Sequence, residues 1–568
     1  MAKKTTAAYE LLRRLGAHPV DYIFANGGTD FAPAIEAWVE ASGDGVAIPE
    51  FITVVHETVA VGMAHGYTLA TGRPQAVMVH VNVGLANSVM GLLNAAADQV
   101  PMLMMSGRTP VTEYGRSGSR NVPIHWGQEM RDQGAMVREA VKWDYELKYP
   151  DQTADIAERA LAIAMSEPRG PVYLSLPREV LAETVPATAA TRKAVAYRPA
   201  RTAPSSDAVA EAAAILMAAE RPLVVSQRGA ESALETLPLD DFLARHAIPL
   251  TDFWPTRNAL ATDHAMHAGF DRMDMVGEAD AILVLDALVP WIPVWGEPAP
   301  EAKVIQAGAD PLQSARPVRQ FASDVSLAGS LAEVVAALDG AMEKAPRGYK
   351  GKVAARRKQV SARIREERKA RRAAASDGSG NPMSKGWVSH CLSQAIDGET
   401  LLFTELGANH SMLESVPAGR LFNHPLSGGL GWAVPAALGA KMADRERLVV
   451  AMVGDGSHVF ANPVACHQVA QAYDLPILIL VANNAGWEAV RRSTTAMYPK
   501  GKAARANRMP VTRFDPAPDH AAVMRAAGGW AERVEDGADL PAALARAIEV
   551  VRVEKRQALL DINILFDA

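Results

Sequence analysis

Two short polar turns carry the residue types with the clearest chemistry in this chain, Gly454-Asp455-Gly456-Ser457 and Asn483-Asn484-Ala485-Gly486. Together they suit a divalent cation holding a diphosphate. Asp455 offers a hard anionic oxygen, Asn484 a neutral amide oxygen and the Gly486 carbonyl a third ligand, while Mg²⁺ takes about six oxygens and draws the rest from phosphate and water. Glycines at 454, 456 and 486 let backbone approach the phosphates, and the Ser457 amide at a helix start can donate to them. Gly-Asp-Gly alone is a common turn, and its pairing with Asn-Asn makes the pattern specific. Earlier in the chain, Glu57 opens a helix and His80 closes a strand. Each has a plain structural explanation beside a catalytic one: a carboxylate is favoured by ~0.3–1 kcal/mol at a helix N-terminus, and a strand-end histidine is ordinarily a hydrogen-bonded core group.

The elements that position these residues can be read from periodicity. Apolar runs at 448–453 and 476–482 precede the two turns, and Ala465, Val469 and Ala472 with Tyr473 recur between them at helical spacing. A right-handed strand–helix–strand crossover makes the strands parallel and places both turns at their carboxyl ends, where open α/β sheets bind ligands. The first block repeats this grammar. A helix with Leu11, Leu12 and Leu15 leads to a strand at 22–24 that ends in Asn26-Gly27-Gly28-Thr29. A strand at 52–55 delivers His56-Glu57 to a helix reaching about Thr71, and strands at 76–80 and 101–105 flank a helix over 87–97. The spacing predicts α/β architecture throughout: an N-terminal domain over 1–185, a central domain over 186–345, a basic connecting helix over 346–382 and a C-terminal domain over 383–568. All three domains are expected to be doubly wound with largely parallel sheets.

With 568 residues, 49% hydrophobic and 21% charged, the composition is that of an ordinary globular protein of several domains. A net charge of −6 argues against a nucleic-acid surface as its main business. Cys391 and Cys466 lie far from any metal-ligand spacing and read as buried thiols of a reducing compartment. Met1 to Thr6 lacks the apolar core of a signal peptide, and no apolar run approaches the ~18 residues of a membrane helix, so a cytoplasmic protein without a membrane partner is expected. The Lys- and Arg-rich run in 346–376 reads as a solvated helix rather than an RNA-binding arm.

The Gly-Asp-Gly and Asn-Asn pair resembles the cofactor signature of thiamine diphosphate-dependent enzymes. That resemblance implies that Asp455, Asn484 and the Gly486 carbonyl hold Mg²⁺, which anchors the cofactor's diphosphate. It further implies that Glu57, followed by Ala64-His65-Gly66-Tyr67, hydrogen-bonds the aminopyrimidine ring of thiamine diphosphate. Asn26, the amides of Gly407, Ala408 and Asn409, and Gly454, Gly456 and Ser457 are expected around the cofactor, with Gly428 near a ring and Leu430 wedged between the two rings. The region of His80 lacks the Gly-Pro-Gly turn of many relatives and is similar to benzoylformate decarboxylases, where a histidine in this place relays protons. Thr29 falls where those enzymes bind the substrate carboxylate through a serine, although their Asn-Pro-Gly-Ser is here Asn-Gly-Gly-Thr. Gly127-Gln128-Glu129 is similar to an element of acetolactate synthases near the partner subunit's site, which makes Gln128 a further candidate.

The implied activity is decarboxylation of a 2-oxo acid with release of an aldehyde. Carboligation of the acetolactate synthase type is the alternative, and a non-catalytic scaffold protein a second. The resemblance also implies a homodimer at minimum, with a homotetramer favoured. FAD or ADP is not assigned to the central domain, because Val224 to Gly229 supplies one glycine where a nucleotide loop wants several.

Overall fold

The computed structural model describes residues 5–186, 195–229 and 233–566, without the side chains of 233–236. Residues 1–4, residues 187–194 at the start of the expected central domain, and Ala230 lie outside the described residues. The chain divides into two bodies, Met1–Arg201 with Pro425–Ala443, and Thr202–His424 with Asp444–Ala568.

In the first body, β1 (Tyr22–Asn26), β2 (Glu50–Thr53), β3 (Gln75–Val79), β4 (Met102–Arg108), β5 (Asp144–Glu146) and β6 (Pro171–Pro177) form one parallel sheet in the order β2-β1-β3-β4-β6-β5. Strands β3, β4 and β6 are buried along their whole length. That accounts for their continuous rather than alternating apolar sequence, since helices cover both faces of a parallel sheet. Helix Glu57–Thr71 is buried on nearly every side, and helix Ala433–Ala443 packs against it. Helix Val81–Ala97 starts directly after His80, six residues before the predicted start, because its first turns carry Asn82, Gly84 and Asn87 in place of an apolar stripe.

In the second body, β7 (Pro222–Ser226), β8 (Leu250–Asp252), β9 (His267–Phe270), β10 (Ala281–Leu285), β11 (Lys303–Gly308) and β12 (Val325–Ala328) pair in parallel as β12-β11-β10-β7-β8-β9. This is the strand order of dinucleotide-binding folds. At the point where that order reverses, Arg228 Nη1 donates to Asp286 Oδ1 at 2.6 Å, bridging the ends of β7 and β10. A third sheet, from β13 (Leu401–Glu405), β14 (Leu421–Asn423), β15 (Val449–Gly454), β16 (Leu478–Asn483), β17 (Trp530–Val534) and β18 (Ala558–Asn563), runs parallel as β14-β13-β15-β16-β18-β17. The first and third sheets thus share one topology. Buried Asn258 joins the central and third sheets, donating to Pro417 O and accepting from the amides of Arg420 and Leu421.

The basic connecting helix is solvated along one side, where Lys350, Arg357, Lys358, Arg365, Lys369 and Arg372 are exposed, and packed along the other. Helix Tyr349–Ala375 buries Tyr349, Val353 and Ile364 against the central domain. Its cations terminate other elements: buried Arg356 donates to Ala219 O (3.1 Å) and His246 O (2.8 Å), and Arg368 to the carbonyls of Asp263, His264 and His267. These guanidinium groups satisfy carbonyls that elements leave exposed at their ends. Cys391 and Cys466 are free, buried thiols, and burial pushes Cys391 up to about 11. Among the described residues no helix is long and apolar enough to cross a membrane.

Candidate active site

In the first sheet the chain turns from one side to the other between β1 and β3, and ligands of doubly wound sheets bind beyond the carboxyl ends at such a point. Asn26 ends β1 there and His80 follows β3. The Asn26 amide donates to Val54 O at 2.9 Å, which fixes the turn carrying exposed Thr29. His80 is half-buried and held from both sides. Its Nδ1 bonds Asp30 Oδ1 through a short contact, and its Nε2 lies 3.2 Å from Gln128 Nε2.

Asp30 is 3% exposed, and its other oxygen, Oδ2, has no hydrogen-bond partner. The pair fits only because two neighbours lack side chains: a Cβ on Gly28 would sit 2.0 Å from His80 Nδ1, and one on Gly107 would sit 1.6 Å from Asp30 Oδ2. The hydrogen bond from Asp30, opposed by burial and aided by the charges of Asp30 and Glu57, raises the His80 pKa. The next residue, Val81, has φ +31°, a conformation that costs a β-branched residue energy and recurs at functional turns.

Glu57 is the first residue of its helix, and its side chain is 12% exposed. Asn87 Nδ2 donates to its Oε2 at 3.1 Å, leaving the carboxylate anchored on one oxygen. Gln128 is buried beside a loop locked by Glu129, which bonds both Arg108 (2.5 Å) and Arg120. Gly428 and Leu430 belong to a loop clamped by Asn94, which donates to Gly429 O (2.9 Å) and accepts from Gly429 N (3.1 Å). Gly428 is exposed at φ +71°, and Leu430 is half-buried.

The second body repeats the address. Between β13 and β15 the third sheet reverses its order, and there Leu406-Gly407-Ala408-Asn409 and Gly454-Asp455-Gly456-Ser457 lie side by side, with Leu406 bridging Val453. Asp455 Oδ1 accepts from Gly456 N at 2.8 Å and Oδ2 from Gly486 N at 3.0 Å, so the carboxylate ties the end of β15 to the turn after β16. Burial raises the Asp455 pKa despite lowering contacts from the amides of Gly456, Gly486, Ala485 and Asn484. A desolvated carboxylate of this kind is what a cation offsets. Asn484 is 8% exposed, and its Oδ1 has no hydrogen-bond partner. The two oxygens, with the nearby Gly486 carbonyl, fit a hard cation, whereas among the described residues no cluster of three His, Cys, Asp or Glu could hold a metal.

Ser457 is buried in helix Asp455–Phe460, and Gly407 is buried with Ala408 half-buried beside it. The Asn409 amide, expected to face a phosphate, donates instead to Ser389 Oγ at 2.9 Å. A cleft of about 520 Å³ opens here, lined among others by Trp254, Lys385, Ala408, Asn409, Glu488 and Arg492.

The structure therefore assembles Asn26, Thr29, His80 and Gln128 around one switch point, and Gly407, Ala408, Asn409, Gly454, Asp455, Gly456, Ser457, Asn484 and Gly486 around the other. Sequence reading missed Asp30, Asn87, Asn94, Lys385 and Glu488. For Asp30 a signal existed, as a carboxylate next to Thr29 in a strand-end turn. Glu488 carried one as well, four residues after Asn484, whereas Asn87, Asn94 and Lys385 make contacts too distant in sequence to leave a local trace.

Two sheets of one topology, each with polar turns at its switch point, are the frame of a cofactor-dependent α/β enzyme. Comparison with known families agrees along most of the chain. Residues 5–136 match the thiamine pyrophosphate enzyme N-terminal TPP binding domain, 209–338 the central domain and 406–562 the C-terminal TPP binding domain. The chain belongs to the thiamine diphosphate-dependent enzyme family. Among its relatives are a probable 2-ketoarginine decarboxylase of Pseudomonas aeruginosa, 28% identical over 85% of this chain and 82% of that protein, and benzoylformate decarboxylase of the same organism, 27% identical over 86% and 87%. Acetolactate synthase isozyme 1 large subunit of Escherichia coli is 25% identical over 78% and 76%. The same fold occurs in benzoylformate decarboxylase from Polynucleobacter necessarius, with TM-score 0.78 and 19% identity over 99% of both chains.

Proposed function

We propose that this chain is a thiamine diphosphate- and Mg²⁺-dependent lyase that decarboxylates 2-oxo acids without oxidation, in the manner of benzoylformate decarboxylases. One observation carries the reading: Asp30, His80 and Gln128 form a hydrogen-bonded chain that holds an imidazole in one orientation at the first switch point. Converting R–CO–COO⁻ to R–CHO and CO₂ consumes one proton, and a positioned histidine supplies it. Carboligation consumes one proton too, but delivers it to the alkoxide oxygen of the acceptor rather than to the acyl carbon, so the distinction lies in where the histidine's proton goes.

In this reading Asp455, Asn484 Oδ1 and the Gly486 carbonyl would hold Mg²⁺. The turns of Gly407, Ala408, Gly454, Gly456 and Ser457 would receive the diphosphate, and Gly428 and Leu430 the rings. Bound there, thiamine diphosphate supplies the electron sink that lets the bond to CO₂ break. Glu57, steadied by Asn87, offers a carboxylate oxygen to a ring nitrogen. Thr29 offers an exposed hydroxyl to the substrate carboxylate, Asp30 holds the proton on His80 Nδ1, and Gln128 faces His80 Nε2. Glu57 of one copy would serve the cation site of another, which makes a homodimer the smallest active unit and a homotetramer its natural pairing.

Carboligation is the second reading. It is favoured by the ion pairs that lock Glu129 to Arg108 and Arg120 and so fix Gln128 in place. Incubation with a panel of aromatic, branched and short 2-oxo acids, with cofactor and Mg²⁺, separates the two. Aldehyde as the main product supports decarboxylation, and hydroxyketone as the main product overturns it.

A further inference from the structure

Glu488 sits one turn after Asn484, at the first position of helix Glu488–Met497, and is 6% exposed. Its Oε2 receives two donors, Lys385 Nζ at 2.6 Å and Asn484 Nδ2 at 3.0 Å, and Arg492 lies 3.6 Å from its Oε1. An oxygen that accepts from an ammonium can only accept, so the end of the Asn484 amide that meets it must be the NH₂ end. The opposite end, Oδ1, is therefore turned away from Glu488 and is buried without a hydrogen-bond partner. An asparagine amide is nearly symmetric in shape, and the wrong end would present two N–H dipoles to a cation. Something must choose, and the only carboxylate bonded to this amide is Glu488 among the described residues.

We propose that Glu488, with its charge balanced by Lys385, is a positioning residue that fixes the Asn484 amide so that its oxygen faces the metal. This rests on the reading of Asp455, Asn484 and Gly486 as the Mg²⁺ site. Lys385 is separated from Glu488 by most of the C-terminal domain's sequence, and the pair lines the cleft beside Ala408 and Asn409. The arrangement places one neutralised ion pair behind the ligand, so the site gains orientation without gaining net charge. Partners that orient metal ligands typically change affinity 10–100-fold when removed.

The test measures Mg²⁺ binding to the full-length protein by calorimetry in the presence of thiamine diphosphate, with thermal unfolding as the check on folding. In Lys385→Met/Glu488→Leu the charges cancel as before but the acceptor is gone, and the dissociation constant should rise 10–100-fold. In Lys385→Met/Glu488→Gln the charges also cancel, and the Gln oxygen can still accept from Asn484, so affinity should stay within about threefold of wild type. A Leu variant that binds like wild type overturns the proposal, as does a Gln variant as weak as the Leu variant. Asp455→Asn separates the layers: if it binds Mg²⁺ like wild type, the metal site itself is misassigned.

Discussion

Replacing Asp30 by Asn tests whether the His80 dyad carries protons. The change is isosteric and keeps an oxygen within reach of His80 Nδ1, but it removes the charge that makes this bond strong. A hydrogen bond to a charged group contributes about 1.5–3 kcal/mol and a neutral one about 0.5–1.5 kcal/mol, so the variant forfeits roughly 1–1.5 kcal/mol. That is about tenfold in the population of the correctly held, protonated ring. The expected result is a kcat about tenfold lower near neutral pH, with KM little changed, because Thr29 and not Asp30 is assigned to the substrate carboxylate. His80→Ala should cost about 10²–10⁴-fold, the usual range for a lost general acid. Asp30→Asn/His80→Ala should then be no slower than His80→Ala alone, since the carboxylate acts only through the ring. The limb of the kcat–pH profile that reports His80 should move to lower pH in Asp30→Asn, because the contact that raises its pKa is weakened. Gly107→Ala should move it the same way, as its Cβ would displace Asp30 Oδ2. An unchanged pH profile in Asp30→Asn, or losses that multiply in the double variant, would refute the reasoning.

Three further outcomes follow from the same contacts. Glu57→Gln should abolish turnover on every 2-oxo acid while changing thermal stability by no more than the ~0.3–1 kcal/mol of a helix-dipole contact; wild-type-like rates would remove Glu57 from the site. Arg356→Met should destabilise the fold by about 2–4 kcal/mol in denaturant titrations, because two carbonyls, Ala219 O and His246 O, lose a buried donor. Acid should unfold the protein through a histidine cluster: His458, His467 and His520 are buried, with His458 and His520 joined Nδ1 to Nδ1 at 2.9 Å, and burial lowers the pKa of all three. As pH falls below about 6.5 the unfolded chain takes up protons that the folded chain refuses. Stability is therefore lost from that pH downward, by roughly 1.4 kcal/mol per pH unit for each histidine. His467→Gln should shallow that slope in melts followed by circular dichroism.

The two polar turns proposed to hold the cation are legible in the sequence because their residue types and their place after a strand are local. Asp455 and Asn484 each end an apolar strand and carry their glycines beside them, so type and address coincide within a few residues. The same holds for Glu57 and His80, whose places at a helix start and a strand end survive in the structure. What was not legible is non-local. Asp30 meets His80 across 50 positions, Asn94 meets Gly429 across 335, and Lys385 meets Glu488 across 103. The packed side of the basic helix was hidden for a related reason: its apolar positions Val353, Val360 and Ile364 are sparse, and the Ala219 and His246 carbonyls that Arg356 caps lie more than a hundred residues away. Asn409 shows the limit at atomic scale, since nothing near it predicts that its amide goes to Ser389.

The shared strand order of the first and third sheets explains why the candidate residues fall where they do. A topology of this kind has one reversal, and the two strands flanking it diverge at their carboxyl ends, leaving room for polar turns that no helix covers. In both sheets the turn after the first strand and the turn after the third meet there: Asn26 to Asp30 with His80 in one, Leu406 to Asn409 with Asp455 in the other. The fold thus fixes two equivalent addresses and leaves their chemistry free. One address holds a carboxylate–imidazole pair suited to moving a proton, and the other a carboxylate–amide pair suited to gripping a cation. Because each pair depends on a buried carboxylate whose neighbours are backbone amides or glycines, enlarging Gly28, whose Cβ would meet the His80 ring itself, should disable the first address while leaving Mg²⁺ binding intact. Measuring cation affinity and turnover side by side in Gly28→Ala would show it: lost turnover with retained binding is expected, and parallel loss of both would mean the two addresses are not chemically independent.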